Sequence, residues 1–158
     1  MKESLRTGIT FGLTSAVITT LGLMVGLHSG TRSRAVVLGG ILTIAIADAF
    51  SDALGIHVSE EAENVHTVKQ IWAATIATFL AKFLFALTFA APVLLLPLST
   101  AIWVSVIWGI SILAILSYGV AKSQGEPPWK IVGEHISIAL VVIGVTHAVG
   151  DWVSTLGG

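Results

Sequence analysis

Two aspartates lie inside a long apolar stretch of this chain, where charged side chains are rare. Asp48 and Asp52 are four residues apart in the sequence AIADAFSDALGIHVSEEAE, which spans residues 45–63. In a helix, residues four apart share a face, so both carboxylates project the same way. An ionised Asp at the centre of a bilayer costs roughly 3 kcal/mol and normally faces a bundle interior or a wet cavity. The pair therefore indicates an ion or proton site. The alternative is a structural ion pair, or a protonated carboxyl bonded to a neighbouring helix.

A lysine in a later apolar stretch is the third charged residue at this depth. Lys82 lies near the middle of the segment 71–90. A lysine at this depth must either pair with a carboxylate or extend its side chain along the helix to the lipid headgroups. We expect Asp48 and Asp52, on an antiparallel neighbour, to be its partners.

A second pair with the same spacing lies near the C-terminus. His147 and Asp151 are four residues apart and share a face of any helix that contains them. Imidazole and carboxylate at this spacing are able to bind a metal ion. Without a third ligand in the sequence nearby, we favour a hydrogen-bonded pair at a helix end.

The composition allows one class of protein. Of the 158 residues, 54% are hydrophobic and 11% are charged, with a mean hydropathy of +0.92. Too few polar residues are present to cover a soluble globule, which predicts an integral membrane protein. The net charge of −1 provides no broad basic surface for nucleic acid. Cysteine is absent, which excludes disulfides and thiolate metal sites.

Hydropathy predicts an all-α, multi-pass fold with a single transmembrane domain. We expect the first apolar stretch to be retained as a span, because no small-residue cleavage site follows it. Five Lys and Arg residues fall on the side of the N-terminus and two on the other, which predicts a cytoplasmic N-terminus. The host membrane is not predicted. The five predicted spans are 8–27, 35–57, 71–90, 98–121 and 131–152.

The first span carries small residues at alternating spacings of four and three. Such a stripe lets helix backbones approach closely within lipid, where apolar surface alone gives little reason to associate. The span should therefore pack tightly, either inside the bundle or across the two-fold seam of a homodimer. The stripe consists of Gly8, Gly12, Ser15, Thr19, Gly22 and Gly26.

The first two spans, which contain FGLTSAVITTLGLMVGL and VVLGGILTIAIADAFSDALGIHVSEEAE, resemble those of the vacuolar iron transporter family. The family pattern is a DG-[LIV]-[VI]-TT stretch, then an AD-x-x-SM-x-x-G-x-Y-like helix that ends in acidic residues. The likeness extends more weakly to the Pro-bracketed turn at 92–97, the GEPPWK link and THAVG near the C-terminus. Its most specific parts are Thr19-Thr20 and the second-span string. It implies five helices with the N-terminus in the cytoplasm.

The resemblance also implies a function. Members of the family are dimers that export ferrous or related divalent ions from the cytosol in exchange for protons, along a path at the dimer seam. The family's first-span Asp is replaced here by Ser15, its second-span Asp is kept as Asp48, and its methionine position holds Asp52. The chain has no room for the cytoplasmic metal-binding domain that many members insert. The residues left to receive an ion from the cytosol are Glu60, Glu61, Glu63 and His57.

Oxygen ligands favour harder ions such as Mn²⁺, with Fe²⁺ still tolerated. We therefore predict a divalent cation, carried as substrate, at Asp48 and Asp52 with the hydroxyls of Ser15 and Thr19, and no permanently bound cofactor. Ion and proton occupancy should alternate, because empty ionised carboxylates are unfavourable in a low-dielectric site. The alternative is a non-transporting scaffold or sensor whose site is locked by Lys82. No enzyme is predicted, because the chain has no phosphate-binding glycine loop, nucleophile pattern or HExxH-like string.

Overall fold

The computed structural model describes residues 2–156, and it is 91% helical with no strand in that range. This confirms the all-α prediction. Five long helices and one short helix follow one another along the chain. They are α1 (Lys2–Thr31), α2 (Arg34–Glu63), α3 (Val68–Thr88), α4 (Ala90–Leu95), α5 (Leu98–Gln124) and α6 (Pro128–Ser154).

Five helices are long and apolar enough to cross a membrane, when α3 is taken together with α4 as one segment. By length and composition the fold is therefore that of a multi-pass membrane protein. The predicted spans lie within α1, α2, the α3–α4 segment, α5 and α6, but the helices extend beyond them at most ends. The first part of the polar segment after the second span, which lacks Pro and Gly, continues α2 as far as Glu63.

Short polar links reverse the chain between the helices, and the residues in them explain where the helices stop. Ser33 caps the start of α2 by accepting from a backbone N–H. Asn64 ends α2 in the left-handed conformation, and Gly125 does the same for α5. Thr67 and Gln70 form a reciprocal capping box at the start of α3. Each link is short, so consecutive long helices are antiparallel.

The connection between the third and fourth spans is broken by proline, as the sequence predicts. The six-residue α4 follows directly on α3, and Pro97 precedes α5. Arg34, the first residue of α2, donates hydrogen bonds to the carbonyl oxygens of Leu94 (3.3 Å) and Leu96 (2.9 Å). These bonds satisfy carbonyls at the end of α4 that have no intrahelical partner. The guanidinium thereby ties the start of α2 to the broken connection.

Helix α1 is the centre of the bundle and packs against α2, α3, α5 and α6. Its stripe of small residues packs against other helices of the same chain. A Cβ atom added at Gly12 would lie 2.6 Å from the Thr78 carbonyl oxygen on α3, and one at Gly22 would lie 2.9 Å from Val142 on α6. Gly8 likewise faces α3, and Gly26 faces α6. The stripe therefore packs within the bundle, and a homodimer through the first span stays a prediction.

Helices α2 and α6 are the least covered of the five, and a groove floored by α1 lies between them. The groove beside α2 has a volume of about 690 Å³, and its wall includes Thr43, Ala47 and Ser51. Its floor includes Thr19 and Leu23 of α1, which also line the adjoining groove beside α6. The centre of α1 is thus open on this side and buried on the others.

Candidate ion site

Lys82 reaches the two aspartates, as the sequence predicts. Its Nζ lies 2.5 Å from Oδ2 of Asp48 and 2.5 Å from Oδ2 of Asp52. It also donates a hydrogen bond of 2.8 Å to the Ser15 hydroxyl. The contact with Asp52 is a hydrogen bond as well as an ion pair, whereas the contact with Asp48 is an ion pair. One ammonium group is therefore surrounded by three oxygen-bearing side chains.

Three helices supply this cluster, and each position follows from simple geometry. Asp48 and Asp52 lie one turn apart on the side of α2 that faces α3. Lys82 extends from α3, where the close approach of Gly12 brings α1 alongside its backbone. Ser15, three residues after Gly12 on α1, thereby comes within reach of the ammonium. The small residue at position 12 is thus what assembles the cluster.

The cluster is mostly dry. Lys82 is 1% exposed, while the side chains of Asp48 and Asp52 are 26% and 17% exposed. A buried ammonium without partners would be very costly, and two carboxylates compensate it. With both carboxylates ionised and Lys82 protonated, the cluster carries a net charge of −1. Its electrostatics therefore favour a further positive charge.

Only part of the predicted shell is assembled. Asp48 opens towards the groove between α1 and α2, where it lies beside Ser51. Thr19 lines the same groove, but its hydroxyl donates to the Ser15 carbonyl oxygen at 2.9 Å and not to the cluster. An oxygen of Thr19 is thus available to an ion in the groove, one turn from Ser15, but not to Lys82.

The four residues predicted to receive an ion from the cytosol do not form one group. Glu60 is buried and its Oε2 lies 3.3 Å from Nε2 of His66. Glu63 lies 3.7 Å from the same nitrogen. Glu61 is exposed, and His57 is engaged elsewhere, with Nδ1 2.9 Å from the Thr75 hydroxyl. His66 was missed because it follows the end of α2, where helical spacing no longer indicates which side chains meet.

The His147 and Asp151 side chains are neighbours at a helix end, but the hydrogen bond expected between them is not formed. Nε2 of His147 lies 3.5 Å from Oδ2 of Asp151, and both side chains are more than half exposed. Ser29 of α1 donates hydrogen bonds to the Asp151 carboxylate and to the His147 carbonyl oxygen. The pair therefore joins the ends of α1 and α6.

Within residues 2–156, no three His, Asp or Glu side chains already converge as a metal site. At the centre of the bundle a lysine ammonium occupies the position that a cation would take between Asp48 and Asp52. Chemically, the arrangement surrounds one positive charge with oxygen atoms from three side chains.

Comparison with known proteins adds no assignment. No family model, no curated protein and no solved structure matches this chain. The resemblance to the vacuolar iron transporter family accordingly rests on the quoted sequence motifs alone.

Proposed function

We propose that this protein is a proton-coupled transporter that exports a divalent cation such as Fe²⁺ or Mn²⁺ from the cytosol. One observation carries the proposal: Asp48 and Asp52, one turn apart and largely buried, already hold a cationic group between them. Ionisable side chains inside a membrane span are rare, and they mark ion and proton pathways in membrane proteins. The carboxylate oxygens suit Fe²⁺ and Mn²⁺, and the hydroxyl of Ser15 adds a third oxygen.

In this mechanism Lys82 stands in for the ion when the site is empty. Its ammonium compensates the carboxylates, and it must withdraw before a metal ion binds, because two cations within a few ångströms repel strongly in a dry site. When the ion leaves, the return of Lys82 and the uptake of one proton by a carboxylate together restore neutrality. Ion and proton occupancy therefore alternate.

The chain is oriented in this proposal with its N-terminus in the cytosol. Basic residues concentrate on the side of the N-terminus, by five to two. Glu60 and His66 lie at the same end of the bundle, where α2 ends. An ion from the cytosol would reach these side chains first and the cluster at Asp52 next, two helical turns further along α2.

We also propose a homodimer, seated over the groove between α2 and α6. The side of α2 that borders this groove has small exposed residues four positions apart, at Thr43, Ala47, Ser51 and Gly55. Rows of this spacing let two helices cross closely in lipid. With Lys82 withdrawn, two facing clusters would supply carboxylate oxygens from both protomers to one divalent cation. A second copy would also cover the exposed part of Asp48, which lipid would not solvate.

Cross-linking tests the dimer cleanly, because the chain contains no cysteine. Ser51→Cys should form a disulfide-linked dimer in membranes under mild oxidation, since residues at a two-fold helix crossing lie next to their own copies. The matched control is Leu84→Cys, which is exposed on α3 away from the groove. Equal cross-linking at both positions, or none at Ser51→Cys, would argue against this seam.

Metal flux in proteoliposomes with an imposed pH gradient tests the transport itself. The wild type should carry Mn²⁺ in a pH-gradient-dependent manner, and Asp48→Asn or Asp52→Asn should reduce the rate by about tenfold or more, since one lost charge interaction of 1.4 kcal/mol is already worth tenfold. Glu126→Gln, which removes an exposed carboxylate from the link between α5 and α6, is the control. No gradient-dependent flux in any variant would remove the transporter proposal.

One observation supports a second candidate, a non-transporting membrane scaffold or sensor. Lys82 is almost fully buried and contacts both carboxylates and Ser15, which is how a permanently locked site would look. The same flux assay separates the two candidates. Mn²⁺ flux that is absent from the wild type but present in Lys82→Met would establish the locked site.

A further inference from the structure

The end of α2 contains a buried carboxylate that the proposed transport site does not use. Glu60 is 8% exposed, and its Oε2 is shielded from solvent without a hydrogen-bond partner. Most buried carboxylate oxygens accept hydrogen bonds, so an oxygen that accepts none favours a cation or a proton donor beside it. The imidazole of His66, on the link between α2 and α3, lies beside this oxygen.

The spacing of these atoms fits ligands of one metal ion as well as it fits an ion pair. Oε2 of Glu60 lies 3.3 Å from Nε2 of His66, and Oε2 of Glu63 lies 3.7 Å from the same nitrogen. Two donors bound tetrahedrally at 2.0–2.2 Å from one metal are about 3.3–3.6 Å apart. Glu60 and His66 therefore already have the separation of two ligands, and Glu63 is a few tenths of an ångström from it.

We propose that Glu60 and His66, with Glu63 and water as further ligands, bind a divalent transition-metal ion at the end of α2. A nitrogen and carboxylate oxygens suit Zn²⁺, Fe²⁺, Mn²⁺ or Co²⁺ better than Mg²⁺, which prefers oxygen ligands and water. The role that we assign to this site is to load the cation before it enters the bundle, and this role rests on the proposed transport function. The existence of the site does not depend on that function.

Binding of Co²⁺ to the purified full-length protein in detergent tests the assignment, because the visible spectrum of Co²⁺ reports nitrogen and oxygen ligands. Glu60→Gln and His66→Gln should each weaken Co²⁺ binding about tenfold or more, since even partners outside the first coordination shell are worth 10–100-fold. Glu61→Gln is the matched control, because it removes the same charge from an exposed neighbour on the same turn.

The double variant Asp48→Asn/Asp52→Asn separates this inference from the proposed function. It should abolish flux but leave unchanged the part of the Co²⁺ spectrum that Glu60→Gln removes. The two results are therefore independent of each other. If Glu60→Gln binds Co²⁺ as well as Glu61→Gln does, or if the spectrum disappears only in the Asp48 and Asp52 variant, then Glu60 and His66 are an ion pair and not a metal site. Melting curves without metal confirm that each variant is folded.

Discussion

Lys82→Met is expected to lower the stability of the protein in detergent by about 3–5 kcal/mol, the usual effect of removing one partner from a buried ion pair. Methionine replaces the volume of the stem but leaves Asp48 and Asp52 one turn apart without a cation between them. Thermal unfolding of the purified protein measures the loss. Added Mn²⁺ should restore stability in this variant more than in the wild type, because an ion that binds only the folded state stabilises it by mass action.

A second substitution gives the control for this prediction. In the Lys82→Met background, Asp52→Asn should recover part of the lost stability, because it removes one of the two uncompensated charges. In the wild-type background the same change should be destabilising, because Lys82 then loses its hydrogen-bonded carboxylate. If Asp52→Asn has the same effect in both backgrounds, the two residues are not coupled and the ion pair contributes nothing.

Gly12→Ala is expected to destabilise the protein by about 1–3 kcal/mol, the usual cost of overpacking a tight contact. The added methyl group would lie 2.6 Å from the Thr78 carbonyl oxygen and 3.3 Å from the backbone nitrogen of Lys82. Both are backbone atoms, so α3 must move as a whole. That displacement should also draw the ammonium away from Ser15, and any Mn²⁺ flux should fall together with the melting temperature.

The matched control is Gly119→Ala on α5, which lies outside the proposed dimer seam. A Cβ atom at position 119 meets nothing within 4 Å. The change should therefore be neutral or stabilise α5 by about 0.5–1 kcal/mol, through helix propensity. A loss of stability at Gly119→Ala as large as that at Gly12→Ala would contradict the packing described for α1 and α3.

Local patterns in the sequence determined most of the secondary structure. Apolar stretches long enough to cross a bilayer, separated by short polar links, predicted each long helix. These signals are local, because the backbone hydrogen bonds of a membrane-spanning helix form within the segment itself. The same local reasoning placed Asp48 and Asp52 on one face and marked the Pro-bracketed break before α5. It also identified Lys82 as their partner, since few buried cations were available.

Only the tertiary structure decided which of several possible neighbours each side chain meets. The stripe of small residues on α1 predicted close packing but not the packing partner, because a glycine carries no information about the helix that covers it. In the structure, α3 and α6 cover the stripe. Ser15 joins the cluster and Thr19 does not, since the position of α3 sets which oxygen the ammonium reaches. His66 meets Glu60 across the turn after α2, where the chain leaves the helical period and no spacing rule applies.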